Sequence, residues 1–205
     1  MNKKELVIPT NRIERLADAV FAIAMTLLVL NIAVPQVSQA SADILLPEKL
    51  LEVLPSFYNF ALSFLLLGIF WVIHQKQYIA IKRSTSSLAW INLFLLMFVV
   101  LVPFTTELMD TYSDNVLAVM IFNINLLVIG IMFYVQYKYS IDNHLLDPSI
   151  TDDDASFGLL KNMVIIPVAF IAIVITIFNP SYSTLVYLFI PLINKFIRKR
   201  KHISR

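Results

Sequence analysis

Six long apolar stretches, separated by short polar segments, limit what this chain can fold into more than any other feature. A helix needs about 20 apolar residues to cross the hydrocarbon core of a bilayer, and six crossings would use most of the 205 residues. Hydrophobic residues make up 59% of the chain and charged residues 15%, below the ~25% of an ordinary soluble domain. The sequence therefore predicts an all-α integral membrane protein and excludes a soluble enzyme.

We predict a single transmembrane domain over residues 1–205, with no separate soluble domain. Its six helices are expected at about 12–35, 51–76, 86–109, 114–138, 156–178 and 182–198. The last apolar stretch is the shortest, and Pro191 inside it predicts a kink.

The distribution of Lys and Arg predicts the orientation in the membrane. If six helices alternate in direction, 15 of the 16 Lys and Arg residues lie on the side of the two termini, and only Lys49 lies on the other. Cytoplasmic segments carry an excess of Lys and Arg, so both termini are expected in the cytoplasm. The basic C-terminal segment is expected to lie on anionic lipid, and no nucleic-acid partner is expected.

Three polar residues are predicted at a similar depth, just inside the cytoplasmic interface. Asp18 lies near the inner end of the first helix, His74 at the inner end of the second, and Asn92 about one turn into the third. Polar groups in a membrane are costly unless they are paired, so we predict an inter-helix hydrogen-bond cluster that fixes helix packing. A proton-sensing or proton-relay role for Asp18 and His74 stays open as an alternative.

The first helix has two different faces. At about 100° per residue, Ile23, Leu27 and Leu30 form one aliphatic stripe, with Thr26 beside it and Asp18 about 140° away. Such a stripe is typical of a core or lipid-facing surface, so spacing alone does not assign it a function.

Other kinds of chemistry find little support in the sequence. Cysteine is absent, the three glycines are isolated, and the three histidines lack the spacing of metal ligands. The filter sequence of potassium channels that use backbone carbonyls is also absent. We therefore expect no enzyme activity, no metal and no cofactor. The run Asp152, Asp153 and Asp154 is expected to begin the fifth helix, where the helix dipole favours anions, with a divalent-cation site as the alternative.

The segment RIERLADAVFAIAMTLLVL, residues 12–30, resembles the transmembrane protein 175 family of potassium channels, in particular its single-repeat prokaryotic members. Further similarity lies in Trp71-Val-Ile-His74, in Asn92 and in Pro103-Phe-Thr. The resemblance covers the first three predicted helices, about half of the chain. The chain departs from the family at Leu16-Ala17-Asp18, where the family pattern is Phe-Ser-Asp; the acid is kept and the aromatic and hydroxyl groups are not.

This resemblance implies a homotetramer in the bilayer, with the first helix of each copy lining a central pore for monovalent cations. K⁺ would be the permeant ion, and a prokaryotic plasma membrane the location. The resemblance also implies a hydrophobic constriction of Ile23, Leu27 and Leu30, with selectivity carried by Ile23 and Thr26. It further implies that the structural hydrogen-bond cluster consists of Arg12, Asp18, Trp71, His74 and Asn92.

Two other functions stay open at this point. One is a proton-coupled secondary transporter that uses Asp18 and His74, although the position of Asp18 away from the aliphatic stripe counts against it. The other is a non-conducting membrane scaffold whose first helix is simply packed.

Overall fold

The computed structural model describes residues 9–193 and 195. These residues form helices joined by short loops: α1 (Thr10–Leu27), α2 (Ala42–Glu52), α3 (Leu54–Ala80), α4 (Ser86–Thr111), α5 (Val116–Asp142), α6 (Asp152–Asn162), α7 (Ile165–Phe178) and α8 (Pro180–Ser183). Three 3₁₀ turns lie among these helices, at Leu28–Asn31, Gln39–Ser41 and Thr184–Phe189.

Four helical segments are long and apolar enough to cross a membrane, which makes this an integral membrane protein. They are α3, α4, α5 and the stretch Asp152–Phe178 that combines α6 and α7. By contrast, α1 carries Arg12, Glu14, Arg15 and Asp18 within its 18 residues. The last apolar segment, Pro180–Ile193, is shorter than a full crossing requires. Length and composition of the described residues thus support four of the six expected crossings.

The first helix is shorter than the expected range of 12–35. It ends at Leu27, a 3₁₀ turn follows, and the backbone at Ile32 is extended, with φ −82° and ψ 105°. Pro35 disfavours helical backbone at Val34, and β-branched Ile32 and Val34 favour the extended form. The second expected helix is instead preceded by the short helix α2, and α3 continues to Ala80, past the expected end at residue 76.

The fifth expected helix is divided into α6 and α7 because of Pro167. Proline has no amide hydrogen, so the carbonyl of Met163 lacks its usual partner four residues on. The amide of Ile166 donates to that carbonyl instead, at 3.1 Å. This tighter pattern turns the chain between Asn162 and Ile165.

The Asp152–Asp154 run forms the first turn of α6, which begins at Asp152 rather than residue 156. The amide of Asp154 donates to the hydroxyl of Thr151, at 3.2 Å, which caps the helix. Among residues 9–193 and 195, no group of three or more His, Asp or Glu side chains is arranged to hold a metal ion. The divalent-cation alternative for this run therefore gains no support.

The last expected helix, 182–198, is also interrupted. After α8 the chain forms the 3₁₀ turn Thr184–Phe189, and helical backbone resumes over residues 190–193. Pro191 cannot donate to the carbonyl of Tyr187, and the amide of Ile190 donates to it in the tighter 3₁₀ pattern. Residues 194 and 196–198 of the expected helix lie outside the described part of the chain.

Helix α5 lies at the centre of the packing, against α4 and α7, while α1 packs against α3 and α4. The shared core is aliphatic and aromatic, and its largest buried members include Phe70, Leu95, Phe122, Leu126 and Phe133. Gly130 allows α5 to approach α7 closely, because a Cβ there would lie 2.2 Å from Cγ2 of Ile165.

Buried amides also join the helices. The side-chain amide of Asn123 donates to the hydroxyl of Thr176, at 2.9 Å, and accepts from the hydroxyl of Tyr187, at 2.7 Å. The amide of Gln136 donates to Oε1 of Gln77, at 2.9 Å. Each bond satisfies a polar group that would otherwise be costly inside the apolar core.

The loop after α5 is attached to the C-terminal end of α3. The amide of Asp147 donates to the carbonyl of Ala80, at 2.8 Å, and the amide of Lys82 donates to the carbonyl of Leu145, at 2.9 Å. The hydroxyl and the amide of Ser149 both donate to the Asp147 carboxylate, and these bonds lower the pKa of that carboxyl group. The C-terminal end of α3 and the loop between α5 and α6 are therefore held together.

Candidate functional site

The two faces of α1 have different surroundings in the folded chain. One face is buried against α3 and α4 through Ile13, Ala17, Phe21 and Ala24, and Leu28 continues it in the following turn. The aliphatic stripe faces away from α3 and α4, and its side chains are exposed: Ile23 is 58% exposed, Leu27 40% and Leu30 75%. The stripe is therefore not part of the core of its own chain.

Thr26 is exposed beside the stripe, and its hydroxyl donates to the carbonyl of Ile23, at 2.9 Å. This bond to the preceding turn uses the hydroxyl hydrogen. The hydroxyl oxygen keeps its capacity to accept a hydrogen bond or to bind a cation.

Asp18 joins α1 to α3. The indole Nε1 of Trp71 donates to Oδ1 of Asp18, at 2.8 Å, and the side-chain amide of Gln75 donates to the same oxygen. Gln75 was missed by the sequence analysis. Its signal is the i,i+4 spacing from Trp71, which places both donors on one face of α3.

His74 forms a separate pair with Asn92 and joins α3 to α4. Both side chains are buried, and Nε2 of His74 lies 2.8 Å from Oδ1 of Asn92. With the amide oxygen facing the ring, Nε2 is the donor. The imidazole also stacks on Tyr78, with ring centroids 4.6 Å apart. The predicted residues are thus brought together as two pairs that share α3, rather than as one network.

Arg12 does not reach Asp18 in this chain. Its side chain is exposed, and the structure shows no ion pair between Arg12 and Asp18. Arg12 and Asp18 are six residues apart, which places them about 120° apart around the helix. The helical geometry therefore separates the two charges.

Comparison with known proteins identifies the family of this chain. The family model for the endosomal/lysosomal potassium channel TMEM175 matches residues 12–103, which include most of α1, all of α2 and α3, and most of α4. A potassium channel of Streptomyces collinus is 31% identical over 146 residues, which cover 69% of this chain and 69% of that protein. A potassium channel of Chamaesiphon minutus is 41% identical over 103 residues, half of each chain. The match thus spans about half the length of one curated relative and about two thirds of the other.

The fold is similar over a longer stretch than the sequence. The crystal structure of a lysosomal potassium-selective channel TMEM175 homologue from Chamaesiphon minutus superposes with a TM-score of 0.65 and 29% identity. The superposition covers 90% of this chain and 97% of the homologue's chain. With the family pattern on its first helices and this fold over most of its length, the chain belongs to the TMEM175 family.

Proposed function

We propose that four copies of this chain form a potassium-permeable channel, with α1 of each copy lining a central pore. The proposal includes six membrane crossings, both termini in the cytoplasm and a prokaryotic plasma membrane. It is supported by relatives named as potassium channels and by the fold of a potassium-selective homologue.

The observation that carries the proposal is the exposed aliphatic stripe on a helix that is anchored by its opposite face. A stripe of this kind would also suit a lipid-facing surface. However, α1 carries four charged residues in 18, and charged side chains are expensive in hydrocarbon. A closed ring of copies removes α1 from lipid and supplies water at the mouth of the pore.

In a four-fold ring, each residue of the stripe becomes a ring of side chains. Rings of Ile23, Leu27 and Leu30 would exclude water where they are narrow, and such constrictions gate by dewetting. The stripe contains no acidic residue, so it offers little Coulombic attraction to separate cations by charge density. Selection of K⁺ over Na⁺ would then depend on the lower dehydration cost of K⁺, with Thr26 as the polar ring.

The test is ion flux into liposomes that contain the purified protein. We expect a detergent-solubilised mass of four chains and a K⁺ flux larger than the Na⁺ flux. Ile23→Asn should raise the flux and reduce selectivity, because it hydrates the narrowest ring. The matched control is Ile177→Asn, which changes an exposed isoleucine on α7. Absence of flux from folded tetramers, or equal effects of both variants, would contradict the proposal.

A further inference from the structure

A cavity of about 600 Å³ lies between α3 and the C-terminal half of α6. One wall is apolar and comes from α3, with Phe64, Leu65, Gly68 and Ile69. The other wall includes Tyr137 of α5. The exposed stripe of α1 takes no part in it, so the cavity is separate from the proposed ion pathway.

The cavity extends along α3, and we call it the slot. Its α3 wall runs from Phe64 to Lys76, about 18 Å at 1.5 Å per residue. One leaflet contributes about 15 Å of hydrocarbon, so the length of the slot is close to the length of one lipid acyl chain. No atom lies within 4 Å of the position that a Cβ would take at Gly68, so the slot is open at this point.

Two lysines line the slot. Lys76 belongs to α3, and Lys161 belongs to α6 together with Asn162. The Lys161 ammonium lies 4.2 Å from the centroid of the Phe157 ring, one turn nearer to the start of α6. Among the described residues, no Asp or Glu lines the cavity. An apolar slot with two cations in its lining is complementary to a molecule with an acyl chain and an anionic phosphate.

We propose that this slot binds one anionic phospholipid of the inner leaflet. Its phosphate would lie between Lys76 and Lys161, and one acyl chain would extend past Gly68 toward Phe64. The leaflet assignment rests on the orientation proposed above, but the binding itself requires no ion flux. A protein that conducts nothing would still bind the lipid, so the two proposals fail independently.

Native mass spectrometry of the full chain with added phosphatidylglycerol or phosphatidylcholine tests this proposal. The wild-type protein is expected to retain one phosphatidylglycerol per chain and to bind phosphatidylcholine more weakly. Lys76→Gln and Lys161→Gln should each weaken phosphatidylglycerol binding about fivefold. The charge control is Lys138→Gln, which removes a lysine paired with Asp142 outside the cavity lining.

The slot itself is tested by Gly68→Leu, whose side chain would occupy the space of the acyl chain. This variant should lose bound lipid of either headgroup, whereas Ala61→Leu, at an exposed position of the same helix, should retain it. Equal binding of the two lipids, or unchanged binding in both lysine variants, would overturn the proposal. A lipid-free wild type whose oligomer mass changes with Gly68→Leu would show a second copy in the slot and would overturn it as well.

Discussion

Asp18 shows how one carboxylate can fix the rotation of a helix. Its hydrogen bonds to Trp71 and Gln75 hold one side of α1 against α3. The Ile23 side of the helix is left exposed as a result. At this scale the residue that anchors the helix and the residues proposed to line the pore have separate tasks.

Removal of the indole donor should loosen this anchor. Trp71→Phe deletes a hydrogen bond to a charged acceptor, and we expect the free energy of unfolding to fall by about 1–2 kcal/mol. The measurement is thermal or denaturant unfolding in detergent. Trp90→Phe is the control, since Trp90 is exposed on α4 and contacts Phe94 by its ring. An equal loss of stability in both variants would show that the smaller ring causes the effect, and not the missing hydrogen bond to Asp18.

The individual residues of the site were predictable from the sequence to different degrees. A helical wheel separates Asp18 from Ile23, and the depth of His74 and Asn92 follows from their distance to the helix ends. The wheel does not fix how α3 is rotated against its neighbours. For that reason the sequence did not show that Trp71 and Gln75 face α1 while His74 faces Asn92 on α4.

Among the helices, the contact between α5 and α7 leaves no room for a larger side chain at Gly130. Gly130→Ala would place a Cβ 2.2 Å from Cγ2 of Ile165, and we expect a loss of about 1–3 kcal/mol from overpacking. Gly68→Ala is the matched control, because that Cβ meets no atom within 4 Å. The free energy of unfolding should therefore fall for Gly130→Ala and should stay the same or rise slightly for Gly68→Ala. If Gly130→Ala is as stable as Gly68→Ala, the described approach of the helices is wrong.

Prolines explain most differences between the expected and the observed helices. Pro167 divides the fifth and Pro191 tightens the sixth, at places where the flanking residues are apolar throughout. Hydropathy identifies such a stretch but does not say whether proline will bend the helix or end it. That outcome depends on which neighbouring groups donate a hydrogen bond to the carbonyl that the proline leaves without its usual partner.

For the whole molecule, the proposed orientation can be tested because the chain has no cysteine. Ser113 lies in the exposed turn between α4 and α5, and Ser87 is exposed near the start of α4. In intact cells, a membrane-impermeant thiol reagent should label Ser113→Cys and should spare Ser87→Cys until the cells are opened. The reverse pattern would place the termini outside, and labelling of both from outside would contradict the topology.

The central claim is that the exposed stripe of α1 lines the ion pathway. The most direct measurement is K⁺ current through Leu27→Cys protein in a planar bilayer, before and after a cationic thiol reagent is added. We predict that modification reduces the current, because it puts a bulky positive charge in the pore, while Ile177→Cys on α7 is modified without effect. Unchanged current through Leu27→Cys protein, with modification verified by mass, would place the stripe outside the pathway.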